Sequence, residues 1–179
     1  EMGAVYARDR FRIEKPKVGL LSIGEEAGKG NPLVKESFAY LDSEDWQKRS
    51  SARFIGNVEG RDLMSGVADV IVTDGFTGNV ALKTLEGTAK SIVTALLGAF
   101  SSSPDAEQGA ELLAPALLPL YAKLDPDSVG GAVLLGVKGI AMVSHGSSSA
   151  KAILNAAQTA YELAVDNHVE HLQAILLTK

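Results

Sequence analysis

The 179-residue chain contains no cysteine, which excludes disulfides, thiolate metal sites and a cysteine nucleophile within it. That usage fits a cytoplasmic protein. No stretch reaches the roughly 18 consecutive apolar residues that a membrane-spanning helix requires, and no signal-peptide pattern is present. The expectation is a soluble chain, or one that at most lies on a membrane. Excess positive charge is lacking too: 17 Lys and Arg stand against 22 Asp and Glu, for a formal net charge of -5. Phosphate-backbone affinity rests on clustered cations, so nucleic acid is excluded as an expected partner. There is no internal repeat and no low-complexity tract. What is present is 46% hydrophobic residues, enough to bury one core, and residues 1–179 are taken as a single domain. Glu1-Met2 reads as the interior of a helix, so the chain is expected to be part of a longer polypeptide.

The coarse pattern alternates strands and helices. Met2 to about Arg10 reads as a helix tail, and Lys17-Val18-Gly19-Leu20-Leu21-Ser22-Ile23 as a buried strand. A glycine-rich loop over 24–30 follows, after which Asn31 and Pro32 supply an N-cap and an N1 proline for a helix to about Leu41. Arg53-Phe54-Ile55-Gly56 reads as a short strand and 57–60 as a loop. A helical turn over 61–65 precedes a strand over 69–73. Such alternation predicts parallel pairing. Beyond Asn79, Leu82, Leu85, Ala89, Ile92, Val93, Leu96 and Phe100 recur at spacings of three and four, the mark of a helix with one face on the sheet. Residues 108–123 are leucine-rich and broken by Pro115 and Pro119, and 125–131 is a turn-rich loop. Residues 133–137 and 140–144 read as two strands. The final helix, from about Ser148, carries alanines at 150, 152, 156, 157, 160 and 164 that permit close approach of a neighbour.

Several patterns carry candidate chemistry. Val70-Ile71-Val72-Thr73-Asp74-Gly75-Phe76-Thr77-Gly78-Asn79 is a strand that breaks at glycine and restarts as a helix, with Thr77 or Asn79 able to cap it. Free N–H groups and the macrodipole make such a junction receptive to an anion, although an ordinary turn has the same residues. The 24–30 loop is no nucleotide-binding P-loop, since three residues instead of four separate Gly24 from Gly28 and Gly30 follows Lys29. It does place Lys29 beside Glu25 and Glu26 just past a strand's carboxyl end, where open α/β sheets bind ligands. Ser144-His145-Gly146-Ser147-Ser148-Ser149 repeats the strand–glycine–helix logic and contains a histidine, a residue type able to give or take a proton. His168 and His171, three apart, read as a solvated face, and no metal is assigned. The basic stretch Arg8, Arg10, Arg12, Lys15 and Lys17 is either a surface for an acidic partner or a solvated helix end. The apolar run 112–121 suits a subunit or lipid surface, or an internal helix.

Four of these motifs, in order, closely resemble the PlsX-type phosphate acyltransferases: Val18-Gly19-Leu20-Leu21-Ser22-Ile23-Gly24-Glu25-Glu26 with Gly28-Lys29-Gly30-Asn31; Phe54-Ile55-Gly56-Asn57-Val58-Glu59-Gly60-Arg61-Asp62; Asp74-Gly75-Phe76-Thr77-Gly78-Asn79-Val80 with Leu82-Lys83; and His145-Gly146-Ser147-Ser148. The resemblance covers nearly the whole chain and about the C-terminal half of the family's polypeptide. It implies a three-layer α/β/α sandwich similar to phosphotransacetylase and the isocitrate-dehydrogenase-like enzymes, with a projecting helical hairpin over 104–127. The implied activity moves a long-chain acyl group from acyl carrier protein to inorganic phosphate for phospholipid synthesis, with no cofactor. The implied assembly is a homodimer held peripherally at the membrane through 108–123. Under this resemblance His145, Lys83 and Asn79 would be catalytic. Glu25, Lys29, Gly30, Asn57, Glu59, Asp74, Gly75, Thr77, Gly78, Ser147 and Ser148 would bind substrate. Two alternatives are a membrane-associated scaffold for a downstream acyltransferase and an isocitrate-dehydrogenase-like oxidoreductase.

Overall fold

The computed structural model describes residues 1–124 and 128–177, arranged as two compact units. The first comprises 1–74, 133–142 and 158–179, and the second 75–132 and 143–157.

In the first unit, β1 (Lys17–Leu21), β2 (Arg53–Val58) and β3 (Val70–Val72) form a parallel sheet in the order β2-β1-β3. The parallel expectation is met, and the fold is mixed α/β, consistent with an α/β/α sandwich. β2 runs two residues further than the sequence suggests, because Asn57 and Val58 pair with Leu20 and Leu21. The register shifts opposite Val18 and Leu20, where Gly56 takes a positive φ of 93° that a side chain would resist. Helices α1 (Met2–Phe11), α2 (Pro32–Leu41) and α3 (Glu44–Ser50) accompany the sheet. Asn31 caps α2 as its position predicts, its Oδ1 accepting from the Val34 N–H at 2.9 Å. Ala4, Val18, Leu20, Leu41, Trp46, Ala52 and Phe54 form the core, with Trp46 only 1% exposed and edge-on to Phe54.

The chain passes from the first unit to the second at Asp74 and Gly75. α4 (Gly75–Phe100) and α5 (Pro104–Leu124) pack together as a helical hairpin joined by three residues. No residue of α4 is buried. The expected stripe stops at half-buried Leu85, Ala89, Val93 and Phe100, while Leu82, Ile92 and Leu96 stay exposed. Residues 108–123 do not form two proline-broken helices; α5 is one helix with Pro115 and Pro119 inside it. Prolines four apart lie on one face, and both are exposed, so the carbonyls they leave unbonded face water. The described part of the expected 104–127 hairpin is therefore α5, one arm of the longer α4–α5 pair. Residues 125–127 of that hairpin and of the 125–131 loop lie outside the described residues.

The two strands expected over 133–137 and 140–144 shrink to β4 (Ala132–Val133) paired with β5 (Met142–Val143). Turn-forming Gly136, Lys138 and Gly139 interrupt the apolar run. α6 (Ala150–Val165) and α7 (His168–Leu177) complete the described chain. The alanine stripe of α6 does admit a close neighbour: Ala152 and Ala156 are buried. Gly130, at φ 82°, lies so near that a Cβ there would stand 2.3 Å from the Ala152 carbonyl oxygen.

Candidate functional site

In the first unit the 24–30 loop leaves the carboxyl end of β1 and is held by residues at the end of β2. Asn57 is buried and donates from Nδ2 to the Glu26 carbonyl at 2.9 Å, which fixes its amide orientation. The same carbonyl accepts the Lys29 N–H at 2.9 Å. Asn57 Oδ1 is buried without a hydrogen-bond partner among the described residues. Above the loop, Arg61 Nη2 meets Glu25 Oε1 at 2.7 Å and its Nη1 meets Glu59 Oε2 at 2.7 Å. The hydrogen bond to Glu25 and then the charge of Glu59 raise the Arg61 guanidinium above its ordinary pKa. The turn beneath Arg61 is a short 3-10 segment, Gly60–Asp62, closed by a reciprocal cap in which Asp62 accepts the Glu59 N–H at 2.8 Å. Glu25, Lys29, Gly30, Asn57 and Glu59 thus share one corner of the first unit. Asp74 ends that unit and is half-buried.

In the second unit, Gly75, Thr77, Gly78, Asn79 and Lys83 all lie within the first turns of α4. Thr77 and Asn79 therefore do not cap the helix, which has already begun two and four residues earlier. Asp74, a favoured cap type, occupies the preceding position. The first amides of α4 still form an N-terminal cluster of donors. Lys83 Nζ is paired with Glu86 at 2.8 Å.

His145, Ser147 and Ser148 come together in a tight turn before α6. The imidazole Nδ1 accepts the Ser147 N–H at 3.2 Å and lies 2.6 Å from Ser147 Oγ. The Ser148 N–H donates to the His145 carbonyl at 3.0 Å. α6 starts at Ala150, two residues later than expected, with Ser149 Oγ accepting the Ala152 N–H at 3.2 Å.

A second histidine group departs from the sequence expectation. His168 is 1% exposed, and its Nδ1 lies 2.6 Å from Asp9 Oδ2. His171, exposed on the same helix, reaches Asp9 Oδ1 at 3.0 Å. The pair is thus a docking contact between α1 and α7, not a solvated face. Its signal was the (i, i+3) spacing of the histidines; nothing local names Asp9 as their partner. The three arginines of the basic stretch are likewise engaged within the chain: Arg10 pairs with Glu162 at 2.9 Å, Arg12 with Asp166 at 2.7 Å, and Arg8 donates to the Ser50 carbonyl at 2.8 Å. Arg61 stands two residues from Glu59 in the second motif, and its reach to Glu25 has no local sequence signal. Among the described residues no group of three or more His, Asp or Glu is arranged to hold a metal ion, and no helix is long and apolar enough to cross a membrane.

Curated proteins resemble this chain along most of its length. A phosphate acyltransferase of Elusimicrobium minutum is 51% identical over 172 residues, spanning 96% of this chain and 49% of that protein. One from Acidobacterium capsulatum is 44% identical over 173 residues, 97% of this chain and 50% of the relative. One from Bacillus pumilus is 46% identical over 162 residues, 90% and 47% respectively. The chain therefore spans about half the length of the curated relatives it matches. Residues 1–171 match the family described as "Fatty acid synthesis protein", and the chain belongs to that family.

Proposed function

We propose that this chain forms part of a phosphate acyltransferase, moving a long-chain acyl group from acyl carrier protein to inorganic phosphate. The observation that carries the reading is 43–51% identity to proteins of that name across nearly the whole chain. The chemistry asks little of the protein beyond placement and charge control. Phosphate is nucleophilic at neutral pH, so one of its oxygens attacks the thioester carbon directly. The C–S bond breaks, the C–O bond of the acyl phosphate forms, and the departing thiolate takes a proton.

The residues on each unit suit parts of this task. Lys29, whose ammonium has no ion pair among the described residues, neutralises phosphate charge, with Gly30 and Asn57 beside it and Glu59 bounding the loop. The start of α4, with Gly75, Thr77 and Gly78 following Asp74, turns the positive end of its dipole to an anion, with Asn79 about one turn and Lys83 about two turns further along. Lys83 must exchange Glu86 for substrate to contribute. His145, its ring held by Ser147 in the turn that Ser148 closes, is the proton donor to the departing thiolate.

The reading includes a homodimer and peripheral membrane contact through α5. In support, Leu112, Leu113, Leu118, Leu120 and Tyr121 are exposed. Glu107 and Glu111 on the same helix make that contact hydrophobic, without electrostatic attraction to anionic lipid. No observation favours the oxidoreductase alternative.

The test is acyl phosphate formation from acyl carrier protein thioester and phosphate by the intact protein. His145→Ala lowers kcat by about 10²-fold or more, the usual range for a lost general acid. Unchanged turnover in that variant removes His145 from the mechanism.

A further inference from the structure

The 24–30 loop contains Gly24, Gly28 and Gly30, and a segment so rich in glycine samples many shapes unless it is held. β2 holds it. Where β1 gives way to the loop, the Ser22 N–H donates to the Val58 carbonyl at 2.8 Å. Farther along, Asn57 donates from Nδ2 to the Glu26 carbonyl at 2.9 Å. Asn57 is itself fixed, because it lies in β2 opposite Leu20 of β1 and is only 6% exposed.

The hold reaches Lys29 at the Glu26 carbonyl. That oxygen also accepts the Lys29 N–H at 2.9 Å, so the Asn57 amide and the Lys29 backbone meet on one atom. From there the Lys29 stem runs over Gly24, its Cγ 2.8 Å and its Cδ 3.3 Å from the place a Cβ would occupy. The root of the side chain is therefore set through Asn57, and its path by the bare face of Gly24. Under the family resemblance Asn57 would bind substrate, yet its side chain is buried and its Nδ2 is engaged with the loop. Its Oδ1 is a buried acceptor without a partner among the described residues, and an acceptor offers nothing to an unprotonated phosphate oxygen.

We infer that Asn57 is a positioning residue of the anion site: through the Glu26 carbonyl it holds the turn from which Lys29 projects, and it does not itself touch phosphate. The inference rests on the reading that Lys29 receives phosphate.

The experiment is a double-mutant cycle on the phosphate KM of the intact protein, with acyl carrier protein thioester saturating. Lys29→Gln raises that KM by about tenfold, and Asn57→Leu, which keeps the size of the side chain without its donor, by about three- to fivefold. In the Lys29→Gln background Asn57→Leu adds less than about twofold, because the group it positions is gone. The thioester KM of Asn57→Leu stays within about twofold of the parent, which a general loosening of the fold would not spare. Where Asn57→Leu does not fold, Asn57→Ser enters the same cycle with the same expectation, its hydroxyl one bond short of the amide nitrogen. An unchanged phosphate KM in the folded Asn57 variant overturns the inference, as does an equal rise in the thioester KM. So does an effect that multiplies with that of Lys29→Gln, the mark of a direct contact with phosphate. An unchanged phosphate KM in Lys29→Gln is a separate failure: it removes Lys29 as the receptor, and the role of Asn57 with it.

Discussion

The two units bury their side chains very differently. The first closes a core around β1, with Trp46, Phe54 and Leu20 shielded from water. The second builds its longest element, α4, without a single buried residue, and Leu112 on α5 is 78% exposed. Hydrophobic content alone does not separate them, since α4 is as leucine- and valine-rich as a core helix. What differs is the number of neighbours each helix has: a sheet with several helices covers a face completely, whereas a two-helix hairpin covers a strip. The first unit thus closes a core of its own, whereas the second leaves large apolar side chains of α4 and α5 exposed.

Truncating side chains in each unit sharpens this contrast. The largest effect is expected for Trp46→Ala, which empties the centre of the first core and costs about 3–5 kcal/mol, read as the urea midpoint followed by far-UV circular dichroism. A cost below about 1 kcal/mol would mean that the core is far looser than its burial indicates. Asp9→Ala comes next, at about 1–3 kcal/mol, because it strands the buried His168 Nδ1 without an acceptor. His171→Ala, on the exposed arm of the same group, should cost much less; equal costs would break the assignment of His168 as the buried partner. The smallest effect belongs to the second unit. Leu112→Ala and Leu113→Ala each shift stability by no more than about 0.5 kcal/mol, yet together they weaken sedimentation with zwitterionic vesicles. Large destabilisation with unaltered vesicle binding would make α5 an internal helix.

The sequence reveals local structure best where one residue type has one physical use. Asn31-Pro32 marks the start of α2 because both residues suit the first turn, and the β-branched run at Val70 marks β3. α3 escapes because seven residues are too few to show a period, although Ser43 before two acids and Lys48-Arg49 at the end are its terminal signals. Pro115 and Pro119 mislead because a proline's cost depends on whether the carbonyl it frees can reach water, which composition does not state. At the candidate site, the loop and its lysine are legible from glycine spacing and strand position. The grip of Arg61 on Glu25 spans 36 residues, and that of Asp9 on His168 spans 159. Neither pairing follows from any local rule, since each depends on which surfaces the sheet and helices bring together.

That last separation has a consequence for the order in which the molecule can be made. α1 carries Asp9 near the beginning of the described chain and α7 carries its two histidine partners near the end, so a nascent polypeptide emerging from the ribosome cannot form this contact until His168 has been synthesised. The sheet can assemble once β3 has appeared, but α1 must hold its carboxylate through the translation of the entire hairpin before its partners arrive. Contacts between distant segments close large loops and form slowly. The first unit is therefore begun early and sealed late, with the second unit produced in the interval.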